Sequence, residues 1–209
     1  MKALKVFWQA IQDLYEDLML LAGVSVLWWL AVLLIVPGPP ATAGLYYLAY
    51  RIVHEQRVEF SFFWEEFRRH FGKSWQLAGV NLLALVIMGV NFQFYLHMDN
   101  VLRYAAILWI YLFLLWLAMQ IYLFPLLFEM EEPRLWWILR NALMLSVVRP
   151  GYTLVLLILL LAATLLSSVL FLLVIVAWPA LVALVSARSL MSQIADIEAS
   201  RAEPPAQES

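Results

Sequence analysis

The run from Tyr152 to Arg188 constrains this chain more than any other feature. From Thr153 to Ala187 it holds 35 residues without a formal charge. As one helix it would measure roughly 52 Å, against a bilayer hydrocarbon core of about 30 Å. It is too long to cross a membrane once and about right to cross twice, so it predicts two membrane helices with a break near Ser167-Ser168. Only helices satisfy every backbone hydrogen bond at these lengths, because a half-buried strand would alternate polar and apolar residues. The expected fold is all-α, a polytopic transmembrane helical bundle.

Composition narrows the function classes. Hydrophobic residues make up 65% and charged residues 13% of the chain, and that charged share is about half of what a soluble domain carries. The net charge of −2 argues against a nucleic-acid partner, which calls for a basic face. The absence of cysteine excludes disulfides, thiolate metal sites and thiol catalysis. Leu18 to Val36 is longer than the apolar core of a signal peptide and follows a leader containing Asp13, Glu16 and Asp17, so it reads as a membrane helix and not as a cleaved segment.

Six membrane helices are expected, at about 18–36, 40–55, 77–96, 104–128, 152–167 and 169–188. The second is short. Pro37-Gly38-Pro39-Pro40 ends the helix before it, and Arg51 must snorkel if the segment is to cross. If it lies at the interface instead, the count is five. With six, twelve of the 13 basic residues share one side and Arg103 alone lies opposite; with five, Lys2 and Lys5 join Arg103. The positive-inside rule accepts both counts and prefers six, with both termini cytoplasmic in a bacterial plasma membrane. The polar tail 198–209 reads as disordered.

Three amphipathic stretches are expected to lie on the cytoplasmic surface, at about 2–16, 61–72 and 133–147. The first places Leu4, Phe7, Trp8 and Ile11 on one face. The second, with Ser61 as its cap, aligns Phe63, Trp64 and Phe67 while Arg68 and Arg69 face away. The third opens on Pro133 and carries Trp136 and Trp137. Anchoring in the headgroup layer accounts for all three. A docking platform for a partner is the sharper reading, with Phe63, Trp64, Phe67, Arg68, Arg69, Trp136 and Trp137 as its contact residues.

The order of several short motifs resembles the YesL-like family of bacterial membrane proteins, a group without an assigned activity. They are Pro39-Pro40-Ala41-Thr42-Ala43-Gly44-Leu45, the stretch Arg51 to Arg57, the aromatic-basic stretch Phe62 to Phe71, Phe124-Pro125-Leu126-Leu127-Phe128-Glu129, and Arg149-Pro150. The resemblance runs from about residue 10 to 190. Members often carry a glycine where Glu55-Gln56-Arg57 stands here. The resemblance implies a membrane role near carbohydrate uptake and supplies no catalytic residues.

Polar side chains within membrane helices are functional candidates by default. Asn81, Asn91, Gln93, Gln120, Thr164, Ser167 and Ser168 qualify, and none is ionisable. Asn81 and Gln120 stand near the same end of their helices and are placed to bond each other. Trp28, Trp29, Trp116 and Trp178 fall near mid-membrane, away from the interfacial belt where tryptophan usually sits. Trp178 precedes Pro179, and Pro125 sits in the fourth helix; each proline frees a carbonyl and favours a kink. An indole cluster beside a kink either packs or lines a cavity, so Trp28, Trp29, Asn81, Trp116, Gln120 and Trp178 form the candidate cavity set. Glu66 and His70 share a helix face four residues apart, the geometry of two metal ligands, but they read as a solvated pair. Glu129, Glu131 and Glu132 are placed to pair with Arg68 or Arg69.

No metal, cofactor or catalytic residue is expected, since no phosphate loop, nucleophile-plus-base pattern or zinc pattern is present. The function that fits best is a non-enzymatic accessory or regulatory component of a transport system, bound to a permease subunit. The alternatives are an autonomous transporter working as a homo-oligomer through the small-residue row Ala180, Ala183 and Ala187, and an intramembrane lipid-modifying enzyme. The bilayer is the one partner common to all three.

Overall fold

A computed structural model describes residues 2–99, 101–169 and 177–202. Among them the chain is all-α, without strands. The helices are α1 (Lys2–Glu16), α2 (Leu18–Leu33), α3 (Gly38–Val53), α4 (Phe60–Arg69), α5 (Phe71–Leu96), α6 (Ala105–Glu129), α7 (Leu135–Val148), α8 (Pro150–Val169) and α9 (Trp178–Ala202). A short 3-10 turn, Val101–Tyr104, joins α5 to α6.

Several boundaries differ from the sequence expectation. The helix does not break at Ser167-Ser168 but continues to Val169, because serine, unlike proline, keeps its backbone N–H and clashes with no preceding turn. The connection to α9 lies outside the described residues. Pro179 stands in the first turn of α9, where a missing N–H costs little, so it starts this helix and does not kink it. Residues 198–202, expected to be disordered, extend α9; the rest of the tail lies outside the described residues. Glu59, not Ser61, precedes the first residue of α4. Likewise α7 begins at Leu135, past Pro133.

Two sharp bends break the helical path. α1 meets α2 at 95°, and α7 meets α8 at 99°. At the second bend Arg149 leaves the helical region, with φ −135° and ψ 70°, because the ring of Pro150 crowds the residue before it. Among the described residues three helices are long and apolar enough to cross a membrane: Phe71–Leu96, Val101–Glu129 and Trp178–Ser200. Counting each bent pair as one span raises the number to five. α2 and α3 hold 16 residues each, about 24 Å apiece, so by length neither reaches across a 30 Å core on its own.

α3 is the centre of the bundle. It packs against α2, α4, α5, α6 and α9, and its Ala41, Ala43, Leu45, Leu48 and Ala49 are buried. Small residues allow these close approaches. At Gly44 a Cβ would stand 2.7 Å from the Phe63 ring and 2.9 Å from the Phe63 carbonyl oxygen. Ala180, Ala183 and Ala187, the row proposed for an oligomer contact, are buried within the chain itself, on the helix that packs against α3 and α1. α1 is likewise more than a surface anchor. Ala3, Val6, Ala10 and Asp13 form its buried stripe, while Leu4, Trp8 and Tyr15 face outward.

The α2–α3 connection does not reach the far end of the bundle. Trp75, in the second turn of α5, donates its indole N–H to the carbonyl of Val36 at 3.1 Å. Ile35 and Gly38 share a cavity with Asn81 and Gln120. Asn81 still has 15 residues of α5 ahead of it, and Gln120 has 15 residues of α6 behind it. The α5–α6 hairpin therefore extends about 22 Å past the α2–α3 tip. That projecting part is largely exposed and apolar, as at Leu82, Val86, Leu108 and Ile110, the pattern of a lipid-facing surface.

The end of α3 explains the missing glycine. Glu55 adopts φ 56°, a left-handed conformation that disfavours a side chain. Around it Gln56 N–H donates to Arg51 O at 2.9 Å and Glu55 N–H to Ile52 O at 2.9 Å, the paired bonds of a glycine-type helix cap. The tight turn is kept without its glycine. Glu55→Gly is expected to raise stability by about 1 kcal/mol, read as a higher unfolding midpoint in detergent. An unchanged or lower midpoint would show that the left-handed turn stores no strain.

Candidate functional site

The sequence nominated two groups of residues; the fold divides the six of the first between two clusters, and the cavity beside them is lined by Asn81 and Gln120 but not by Trp28, Trp29, Trp116 or Trp178. Asn81 lies on α5, and Trp116 and Gln120 lie one turn apart on α6. Asn81 Oδ1 accepts from the Trp116 indole at 2.8 Å and from Gln120 Nε2 at 2.9 Å. The expected Asn81–Gln120 bond is present, and Trp116 shares the same acceptor. The bonds answer a local need, since each amide and indole would otherwise be unsatisfied in an apolar environment. Asn81→Leu is expected to cost about 1 kcal/mol and to shift the Trp116 emission. A loss no larger than that of Asn91→Leu would remove any special role, because Asn91 bonds only the Ile87 carbonyl of its own helix.

The other indoles form a second cluster. Trp28 lies 5.0 Å from Trp29 and 6.5 Å from Trp178, centroid to centroid. Trp28 Nε1 donates to Thr42 Oγ1 at 2.9 Å, and Trp178 Nε1 donates to Thr164 Oγ1 at 2.9 Å. Thr42 in turn donates to the Gly38 carbonyl at 3.0 Å, at the start of α3. Between the clusters lies an open cavity of about 410 Å³ beside the α2–α3 tip, with Thr42, Asn81 and Gln120 as its polar handles. No charged side chain lines it. It suits an uncharged group that can hydrogen-bond.

The surface group lies on α4 and α7, which adjoin the start of α5 and the end of α6. α4 leans on α3, burying Phe63 and half-burying Phe67 while Trp64 stays outward. Trp136 is 71% exposed, and Trp137 is exposed beneath the Arg140 guanidinium at 5.3 Å. Arg68 lies in a shallow depression with Ser61, Trp64 and Glu65. The expected pairing across the two surface stretches is not made. Among the described residues Arg69 bonds Glu66 at 3.4 Å and Glu132 bonds Arg134 at 3.3 Å, each within its own segment.

Glu66 and His70 are a correction. They were expected to be solvated, yet the Glu66 side chain is 3% and the His70 side chain 12% exposed. His70 Nδ1 stands 2.6 Å from Glu66 Oε2 and donates to it, since a carboxylate only accepts. The His70 ring also meets Phe128 edge-on at 5.5 Å, so α6 covers this face of α4. Spacing alone could not reveal that cover.

Sequence reasoning missed two polar groups. Tyr122 of α6 is buried, and its hydroxyl bonds Thr153 at 3.1 Å, Ser189 at 3.4 Å and Gln193. Ser186, Ser189 and Gln193 recur at helical spacing, a signal hidden by ending the last helix at residue 188. The second group ties α1 to α8 and α9. Arg188 donates to both oxygens of Asp13, while Lys2 and Arg149 both bond Asp196. Among the described residues no three His, Asp or Glu side chains gather as a metal site.

Neither curated proteins nor solved structures provide a match to the chain. Residues 21–92, from α2 to near the end of α5, match the profile of a family described as protein of unknown function, DUF624.

Proposed function

We propose that this chain is a non-enzymatic protein of the bacterial cytoplasmic membrane, YesL-like in kind, that acts as an accessory or regulatory component of a carbohydrate transport system. It docks on a permease subunit through α4 and α7. One observation carries the reading: Trp64 and Arg68 on α4, and Trp136 and Trp137 on α7, all remain exposed. Exposed aromatics beside a cation are the composition of interface hot spots. The test is gentle detergent extraction of the tagged protein from its host, followed by crosslinking and mass spectrometry. A stoichiometric permease crosslinked at α4 or α7, and lost in Trp64→Ala with Trp136→Ala, supports the proposal. A homo-oligomer without a partner overturns it.

The cavity beside Asn81 and Gln120 favours a second reading, an autonomous transporter of a neutral substrate. Substrate flux into liposomes holding only this protein would establish it.

The topology that supports this function differs from six full crossings. The Trp75–Val36 bond and the short lengths of α2 and α3 support a pair that dips into the bilayer and returns on the same side. Both termini then remain cytoplasmic, as the distribution of basic residues favours. Val36→Cys is expected to resist an impermeant maleimide added outside intact cells. Prompt external labelling would restore α2 and α3 as crossing helices.

A further inference from the structure

A separate cavity of about 250 Å³ lies where α4 runs into α5, facing the α6–α7 connection. Its charged lining is Glu66, Arg69, Lys73 and Glu131, with His70 between the two basic residues. Arg69 and Lys73 are four residues apart on a nearly continuous helix, since His70 N–H bonds Glu66 O at 3.0 Å and Ser74 N–H bonds His70 O at 2.9 Å. They therefore project from the same face.

A structural latch accounts for Glu66 and His70 and for nothing else here. Glu66 is satisfied on one oxygen by His70 at 2.6 Å, and its other oxygen meets Arg69 only at 3.4 Å. The Arg69 side chain is 71% exposed, so most of its donors remain open. Lys73 and Glu131 make no ion pair among the described residues. The site thus offers cations one turn apart on one wall and an open carboxylate on the other, with the formal charges of Glu66, Arg69, Lys73 and Glu131 in balance. Leu127, Phe128 and Met130 close its apolar side.

We propose that this cavity binds a zwitterionic phosphoethanolamine group, its phosphate on Arg69 and Lys73 and its ammonium on Glu131. Charge balance favours a zwitterion over a plain anion, and a carboxylate rewards an ammonium that can donate over a quaternary one that cannot. The same chemistry comes from a phosphatidylethanolamine lipid or from a soluble phosphoethanolamine.

The test adds phosphatidylethanolamine, phosphatidylglycerol or phosphatidylcholine to the delipidated full chain and reads retention by native mass spectrometry. Phosphatidylethanolamine is expected to be retained over both others. Lys73→Ala and Glu131→Gln are each expected to weaken it about tenfold, the worth of one charge-assisted hydrogen bond, and Lys73→Arg to keep it. Both changed side chains are exposed, and an unaltered circular dichroism spectrum certifies the fold. Equal retention of the three lipids overturns the proposal. So does a phosphatidylglycerol preference that Glu131→Gln leaves untouched, which marks a plain anion site. Displacement of the lipid by soluble phosphoethanolamine supports the site with a soluble source; lipid binding that resists displacement supports the bilayer as source.

Discussion

Gly44→Ala is expected to destabilise the fold by about 3 kcal/mol, the upper part of the range for overpacking a close contact. The added methyl would lie 2.7 Å from the Phe63 ring and 2.9 Å from the Phe63 carbonyl oxygen. The ring can rotate away, but the carbonyl moves only if α4 separates from α3. That difference makes the prediction specific. Phe63→Ala removes the ring clash and leaves the carbonyl clash, so it should rescue Gly44→Ala only in part. Unfolding followed by tryptophan fluorescence in detergent measures both variants. Full rescue would show that the ring alone sets the helix separation, and a neutral Gly44→Ala would show that α4 does not need this approach. Because α4 carries Trp64 and Arg68, a displaced α4 should also abolish partner crosslinks if the proposed docking surface is correct.

Arg188→Met is expected to cost about 3 kcal/mol, since it leaves a buried carboxylate without its partner. The Asp13 side chain is 11% exposed and that of Arg188 is 22% exposed, so water cannot take over the lost bonds. Removing both charges, as Asp13→Leu with Arg188→Met, should return most of that loss, because a hydrophobic pair of similar volume often replaces a buried ion pair at little cost. The pair joins the last turn of α1 to the middle of α9. Its single loss should therefore expose α1 to protease before the bundle unfolds. A double variant no more stable than Arg188→Met would show that Asp13 and Arg188 do not act as a pair.

The all-α class with several apolar helices fit to cross a membrane, and α1 and α6 almost to the residue, were legible in the chain, because hydropathy and the 3.6-residue period are local properties; the count was not, with three to five candidate spans among the described residues against six expected. The pairing of Asn81 with Gln120 was legible for the same reason: two amides in apolar helices have few other partners. The burial of Glu66 and His70 was not, because the cover comes from Phe128, far along the chain. The Asp13–Arg188 pair spans 175 residues, and no spacing rule reaches that far.

The depth of the α2–α3 tip divides the two kinds of information most clearly. The sequence by itself determined that residues 37–40 stop a helix, because proline removes a donor and clashes with the turn before it. Whether that stop lies at the far surface or within the bundle was decided by the tertiary structure alone. Trp75 bonds Val36, and Phe63 closes on Gly44, and both contacts hold the tip beside the start of α5. Hydropathy reports how much a segment avoids water and is blind to what replaces the water. α5 and α6 keep most of their apolar surface exposed, as a lipid-facing helix would, while α3 buries its own against the protein itself.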